Sequence, residues 1–258
     1  MSDANTTILE ARLKRLEGKT EDRFGYVPNS PQMAKVNEAL LQLRRDSMRG
    51  VGADAPVLFI GEQGCAIEGV ARSVHTGSQR ARGPWVAVNV GAMSTQEIDT
   101  EIFGGETGAV KIAEGGTLYV DGIQKADALF SSKLAKVIRE GKVRVIGASR
   151  NGDVGGELGQ LFAVRVQYPS LRNRGDDSVS VARDYARKVF ESNGKKFEGF
   201  SIDAEAAIRG YGWPGNEHEV YSVLERISLT YQRGPITGAM MTLAGAAGHV
   251  GNGNASAP

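Results

Sequence analysis

Cysteine is almost missing: Cys65 is the single one in 258 residues. A lone thiol excludes an internal disulfide framework and any zinc motif built on cysteine pairs. Long apolar runs are missing too. Val57-Leu58-Phe59-Ile60 is a typical run, strand length rather than the roughly 20 residues of a membrane helix, so no membrane partner is expected. Charge of one sign is not in surplus: 31 Lys+Arg oppose 30 Asp+Glu, and bulk electrostatic capture of DNA is not expected. Histidine is scarce, and His75, His218 and His249 show no metal-ligand spacing, so no metal is expected. Met1 leads into polar residues without an apolar signal core, which makes a reducing cytoplasm the expected compartment. What is present, 41% hydrophobic and 24% charged residues, suits one or two globular units with a real core.

The chain reads in four parts. Residues 1–24 open with Thr7-Ile8-Leu9-Glu10, a capping-box spacing, and place Leu9, Leu13 and Leu16 on one helical face before a linker. That short stripe suits a helix folded back on its own domain or one that docks or dimerises. From Pro31, helical spacing across Met33, Val36, Leu40, Leu41 and Leu43 leads to the strand Val57–Ile60. Further strand-like runs follow at residues 86–90, 117–120, 143–146 and 163–166, separated by helical stretches such as 127–139, where Leu129, Leu134, Val137 and Ile138 recur. Apolar strands alternating with helices predict a parallel sheet covered on both faces. After Pro169 the strands stop, and residues 176–192, 202–210 and 217–232 read as helices interrupted by Tyr211-Gly212-Trp213-Pro214-Gly215. Residues 237–258, uncharged and rich in Gly and Ala, read as a flexible tail. The expected division is 25–172 for the α/β part and 173–236 for the helical part.

The strand at 57–60 runs into Gly61-Glu62-Gln63-Gly64-Cys65-Ala66-Ile67-Glu68, where a phosphate-binding loop would sit. Around it stand Gly83-Pro84-Trp85-Val86-Ala87-Val88-Asn89, Glu101-Ile102-Phe103-Gly104, Gly115-Gly116-Thr117-Leu118-Tyr119-Val120-Asp121, Leu171-Arg172-Asn173-Arg174 and Trp213-Pro214-Gly215-Asn216. Together these segments, with 25–33, Val70-Ala71-Arg72 and His75, resemble the AAA+ domain of bacterial enhancer-binding proteins, the sigma-54-dependent transcription activators. The resemblance runs in order from about residue 25 to 237. It implies a P-loop NTPase-like AAA+ fold, a five-stranded parallel sheet sandwiched by helices, followed by a small α-helical lid.

The resemblance also marks departures. Ala66 stands at the second key glycine of the loop and Ile67 at the lysine that reaches the outer phosphates. Cys65 replaces a threonine and reads as a small buried filler rather than a reactive thiol. Asp121 keeps the metal-binding aspartate of the second acidic motif, and the reading favoured for it is an anchor of the strand end. Gly122 replaces the glutamate that polarises water. The stretch 154–161, where trans-acting arginines would lie, has none. The polar sensor is displaced to Ser149-Arg150-Asn151, and the sensing arginine after Trp-Pro-Gly-Asn falls on His218. The sigma-gripping loop and a second insertion are also absent: Gly108-Ala109-Val110 runs through Lys111-Ile112-Ala113 into Glu114-Gly115-Gly116, and Arg139-Glu140-Gly141-Lys142 joins helix to strand directly.

These departures predict a catalytically inactive pseudo-ATPase that holds no ATP or magnesium and acts through a protein partner, either an active AAA+ homologue or a second copy of itself. The alternative is a nucleotide or cyclic-dinucleotide sensor without hydrolysis. A slow ATPase resting on Asp121 and Glu68 is the third reading. The family's DNA-reading helix-turn-helix would follow the lid, and no direct DNA binding is expected. The basic groups Arg12/Lys14/Arg15, Arg44/Arg45/Arg49 and Arg80/Arg82 read as solvated faces.

Overall fold

A computed structural model describes residues 30–50, 54–125 and 127–245. The amino-terminal helix expected around Leu9–Leu16, and His249, lie outside these. The chain forms two units, divided between Pro169 and Ser170, three residues before the expected boundary.

The first unit opens with a 3-10 turn, Pro31–Met33, whose cap Ser30 accepts a hydrogen bond from the Met33 amide. Pro31 suits that first turn because its missing N–H would have no helical partner there. Helix α1 (Ala34–Met48) follows, burying Val36 and Leu43. Leu41, counted in the apolar stripe, is 54% exposed, a correction to the expected face. Strands β1 (Val57–Ile60), β2 (Trp85–Asn89), β3 (Thr117–Asp121), β4 (Arg144–Ser149) and β5 (Val164–Gln167) form one parallel sheet in the order β2-β3-β4-β1-β5. Between them lie α2 (Ile67–Thr76), α3 (Thr95–Phe103), α4 (Ala109–Ile112), α5 (Ala128–Glu140) and α6 (Gly156–Leu161).

Strand alternation sorts the core into two faces. Val57 and Phe59 join Val70, Trp85, Tyr119 and Ile146, whereas Leu58 and Ile60 join Val86, Leu118, Leu134 and Leu158. Helix α5 buries Phe130, Leu134 and Ala135, while Leu129, assigned to the stripe, is 56% exposed. Both short connectors close cleanly. Gly141 caps α5 at φ +67, a left-handed conformation in which a Cβ is disfavoured, and its amide donates to Ile138 O. The Gly115–Gly116 turn presses so close to Gly83–Pro84 that a Cβ on Gly116 would meet Pro84 O at 2.0 Å. Arg80 corrects the reading of a solvated basic face: its guanidinium binds Asp54 and donates to the carbonyls of Gly141 and Lys142.

The second unit comprises α7 (Asp177–Ser192), α8 (Ile202–Gly210), α9 (Asn216–Thr230) and α10 (Gly238–Leu243). The last is a correction to the flexible tail expected from 237. Thr237 caps it by accepting from the Met240 amide, Met241 is fully buried, and Gly238 N donates to Asp203 Oδ2 at 2.7 Å. The short helix lies against α8 and buries Met241, while Leu243 is exposed. Among the described residues no helix is long and apolar enough to cross a membrane.

Candidate nucleotide-loop site

In an open parallel sheet the binding edge is the carboxyl end of the strands. There Phe59, Ala148, Asp121 and Asn89 share one row of the sheet, so the loop after β1 and the acidic end of β3 meet at the same edge, with β4 between them.

The loop itself is a closed turn. Gly61 N donates to Ser149 O, tying the start of the loop to β4. Cys65 N donates back to Glu62 O at 3.2 Å, with Gly64 at φ +83 in the third position, where a turn of this type requires positive φ. Ile67 N donates to Cys65 O at 2.8 Å. The Cys65 and Ile67 amides are thus committed inside the turn. Ala66 caps α2 without a side-chain hydrogen bond and is buried, as are Cys65 and Ile67. Ile67 folds back under the loop: a Cβ built on Gly61 would meet Ile67 Cδ1 at 3.0 Å and Tyr168 Cβ at 3.2 Å. Glu62 and Gln63 are exposed at the tip.

Glu68, the next residue on α2, has a carboxylate oxygen, Oε1, that is sealed from solvent without a hydrogen-bond partner. Burial pushes its pKa up to about 7, Arg72 one turn later pulls it down, and the nearby Asp121 charge pushes it up again. Asp121 ends β3, half-buried, and its charge together with burial also raises the Tyr119 hydroxyl well above the usual range. Gly122 then takes φ +74, and a Cβ there would meet Gly91 N at 2.8 Å. A glutamate at this position therefore meets both backbone strain and a steric block in this loop. Lys125 holds the arrangement by donating to Gly91 O.

The remaining residues singled out in the sequence divide between the units. Ser149 closes β4 and is buried, and its hydroxyl bonds Asn151 Oδ1 and accepts from Gly152 N. Arg150 and Asn151 are exposed in the turn, where Asn151 Oδ1 also accepts from Asp153 N and the Arg150 amide donates to Gln124. Helix α6, at the arginine-free stretch, sends Leu158 into the core and pairs Glu157 with Arg139. His218 lies in the second unit, exposed on α9. Its neighbour Glu217 was overlooked: it is buried and ion-paired with equally buried Arg174. The signal was present in sequence, an acid directly after Trp-Pro-Gly-Asn matched to the last arginine of Leu-Arg-Asn-Arg. Asn216 Oδ1 accepts from Leu171 N at 2.8 Å in the same cluster. Trp213 and Asn216 both take positive φ, 44 and 49, so the turn between α8 and α9 is strained and held by these contacts.

The residues present do not fit a magnesium-bound triphosphate: position 67 offers a buried aliphatic group instead of a cation, and position 122 offers no carboxylate. Among the described residues no three His, Cys, Asp or Glu converge to hold a metal.

Comparison with known proteins shows what the chain is similar to. Residues 33–158 match the Sigma-54 interaction domain family, and residues 172–254 match the AAA+ ATPase lid domain family. The alginate biosynthesis transcriptional regulatory protein AlgB of Pseudomonas aeruginosa is 30% identical over 255 residues, covering 86% of this chain and 55% of AlgB. The DNA-binding transcriptional regulator NtrC of Rhizobium meliloti is 27% identical over 259 residues, covering 88% of this chain and 52% of NtrC. Among solved structures, NtrX from Brucella abortus in complex with ATP superposes with a TM-score of 0.71 at 25% identity, over 90% of this chain and 60% of NtrX. The chain thus spans about half the length of the curated relatives it matches. A five-stranded parallel sheet bearing the first match and a helical unit bearing the second identify the chain as an AAA+ protein related to the sigma-54-dependent transcription regulators.

Proposed function

We propose that this chain is a non-hydrolysing AAA+ protein that works through protein contacts, as a regulatory or scaffold subunit joining an active AAA+ relative or further copies of itself. The observation that carries the proposal is Ile67, buried against Gly61 where the resemblance implies a phosphate-binding lysine. Losing that ammonium removes charge-assisted hydrogen bonds worth about 1.5–3 kcal/mol each, and an apolar group adds desolvation cost to any bound polyphosphate. The tight, left-handed backbone at Gly122 supports the same reading, because it leaves water without a general base. The features retained build the sheet and the lid, and those features supply a folded surface rather than chemistry.

Three measurements test this. Alone, with saturating ATP and magnesium, the chain is expected to release no phosphate above the rate of an Asp121→Asn variant; turnover that this substitution abolishes establishes the slow-ATPase reading instead. Mixed with an active relative, the chain is expected to co-elute with it and to change its rate of phosphate release. Separate elution with an unchanged rate at stoichiometric excess removes the scaffold proposal. Calorimetric binding of ATP, ADP or a cyclic dinucleotide at micromolar affinity favours the sensor.

A further inference from the structure

At the opposite, amino-terminal edge of the sheet, the first residues of three neighbouring strands line up: Trp85 opposite Thr117, and Thr117 opposite Arg144. Arg144 is only 1% exposed. Its guanidinium makes one long hydrogen bond, from Nε to Ala55 O at 3.3 Å, and its Nη1 is buried with no partner. Among the described residues no carboxylate pairs with it. Asp54 is the nearest candidate by its electrostatic influence, but both of its oxygens are engaged by Arg80, at Nε and Nη2.

The surroundings donate and do not accept charge. His75 binds Thr117 Oγ1 through Nδ1 at 2.9 Å, and burial, with the Arg72 and Arg144 charges, lowers its pKa. The His75 ring lies 5.5 Å from that of Trp85, whose indole Nε1 is a second buried donor without a partner. Arg72 stacks over the same indole at 5.9 Å. The charges influencing this corner are therefore Arg72, Arg80, Arg144 and Asp54. Since the Arg72 charge also acts on Glu68, Arg80 and Arg144 face a single carboxylate. A buried guanidinium without a counterion is costly, and folded proteins pair such charges or bind an ion.

We propose that this edge holds a small inorganic anion, a halide or an oxyanion of the phosphate type, bound to Nη1 of Arg144. The site uses residues of α2, β3 and β4 outside the loop after β1, so it is independent of the proposed loss of nucleotide chemistry. The anion supplies the missing counter-charge and completes the packing of the strand ends.

The test uses the full chain. In acetate at constant ionic strength, replacing acetate with chloride or with phosphate is expected to raise the melting temperature saturably, and Arg144→Met is expected to abolish that response. Chloride acting alone identifies a halide site, and phosphate acting at lower concentration an oxyanion site. Crystals grown with bromide are expected to show an anomalous peak in contact with Nη1, and this measurement stands if Arg144→Met fails to fold. An equal response in both proteins, or a water molecule or nothing at Nη1 both in the bromide crystals and in crystals grown with phosphate, overturns the proposal.

Discussion

Glu68 shows how one side chain sets a pH dependence. Its carboxyl titrates at about 7 in the folded chain against 4.5 for the ordinary group, because burial outweighs the help of Arg72. A raised folded pKa means the native state holds the proton more tightly than the unfolded chain does. The associated stability is complete below pH 4.5 and is lost as pH rises through 7. Glu68→Gln keeps the neutral form at every pH. The variant's advantage over the parent in urea unfolding is expected to grow from near zero at pH 4.5 to on the order of 1–3 kcal/mol above pH 7. A pH-independent difference would assign the sealed oxygen to a hydrogen bond rather than to a titrating acid. Gly122 makes a second argument at the same scale. Gly122→Ala places a Cβ at φ +74 and 2.8 Å from Gly91 N, and a loss of about 1–3 kcal/mol is expected. Gly122→Glu is expected to lose at least as much and to restore no phosphate release, since the backbone needed for a catalytic carboxylate is absent along with the side chain.

At the scale of elements, the strands were the most legible part. Continuous apolar runs bounded by Gly and Pro located all five, and the shifts of one to three residues at their ends arise where side chains such as Trp85 and Ser149 extend the ladder beyond the apolar run. The helical faces were less legible. Leu41 and Leu129 fit the period but lie outside the buried stripe, because the direction of a helix face depends on its sheet partner rather than on its own spacing. Helix α10 was missed because six residues without charge give too short a pattern, and its cap at Thr237 was the only local signal. The buried Arg174–Glu217 pair was legible only in part: both residues stand in or beside motifs the sequence shows, but two charges 43 residues apart carry no local sign that they meet. That pair yields a test. Arg174→Met alone removes the buried counterion of Glu217, and a loss of about 3–5 kcal/mol is expected in chemical unfolding. Arg174→Met with Glu217→Leu is expected to regain most of it. If the double variant is as unstable as the single one, the pair holds the strained Trp213–Asn216 turn by geometry rather than by charge balance.

For the whole molecule, the family and the two-unit plan followed from motifs spread along the chain, whereas the internal closure of the loop did not. The resemblance puts Ile67 where a lysine is expected, but only the fold shows it packed beside Gly61, with the Cys65 and Ile67 amides turned inward. That difference separates two causes for the proposed loss of nucleotide binding, missing charge and a closed loop, and thermal linkage distinguishes them. A protein that binds ATP gains about 2.7 kcal/mol at a hundredfold excess over Kd. For a chain of this size, that corresponds to a rise of roughly 5–10 °C in Tm. The parent is expected to show no rise with ATP and magnesium. Ala66→Gly with Ile67→Lys restores the charge and removes the aliphatic filler together, and this variant is expected to gain a measurable rise while still releasing no phosphate, because Gly122 is unchanged. Ala66→Gly alone keeps the filler and is expected to behave like the parent. A rise with the single variant would mean that loop mobility, not the aliphatic group at 67, is what excludes the nucleotide.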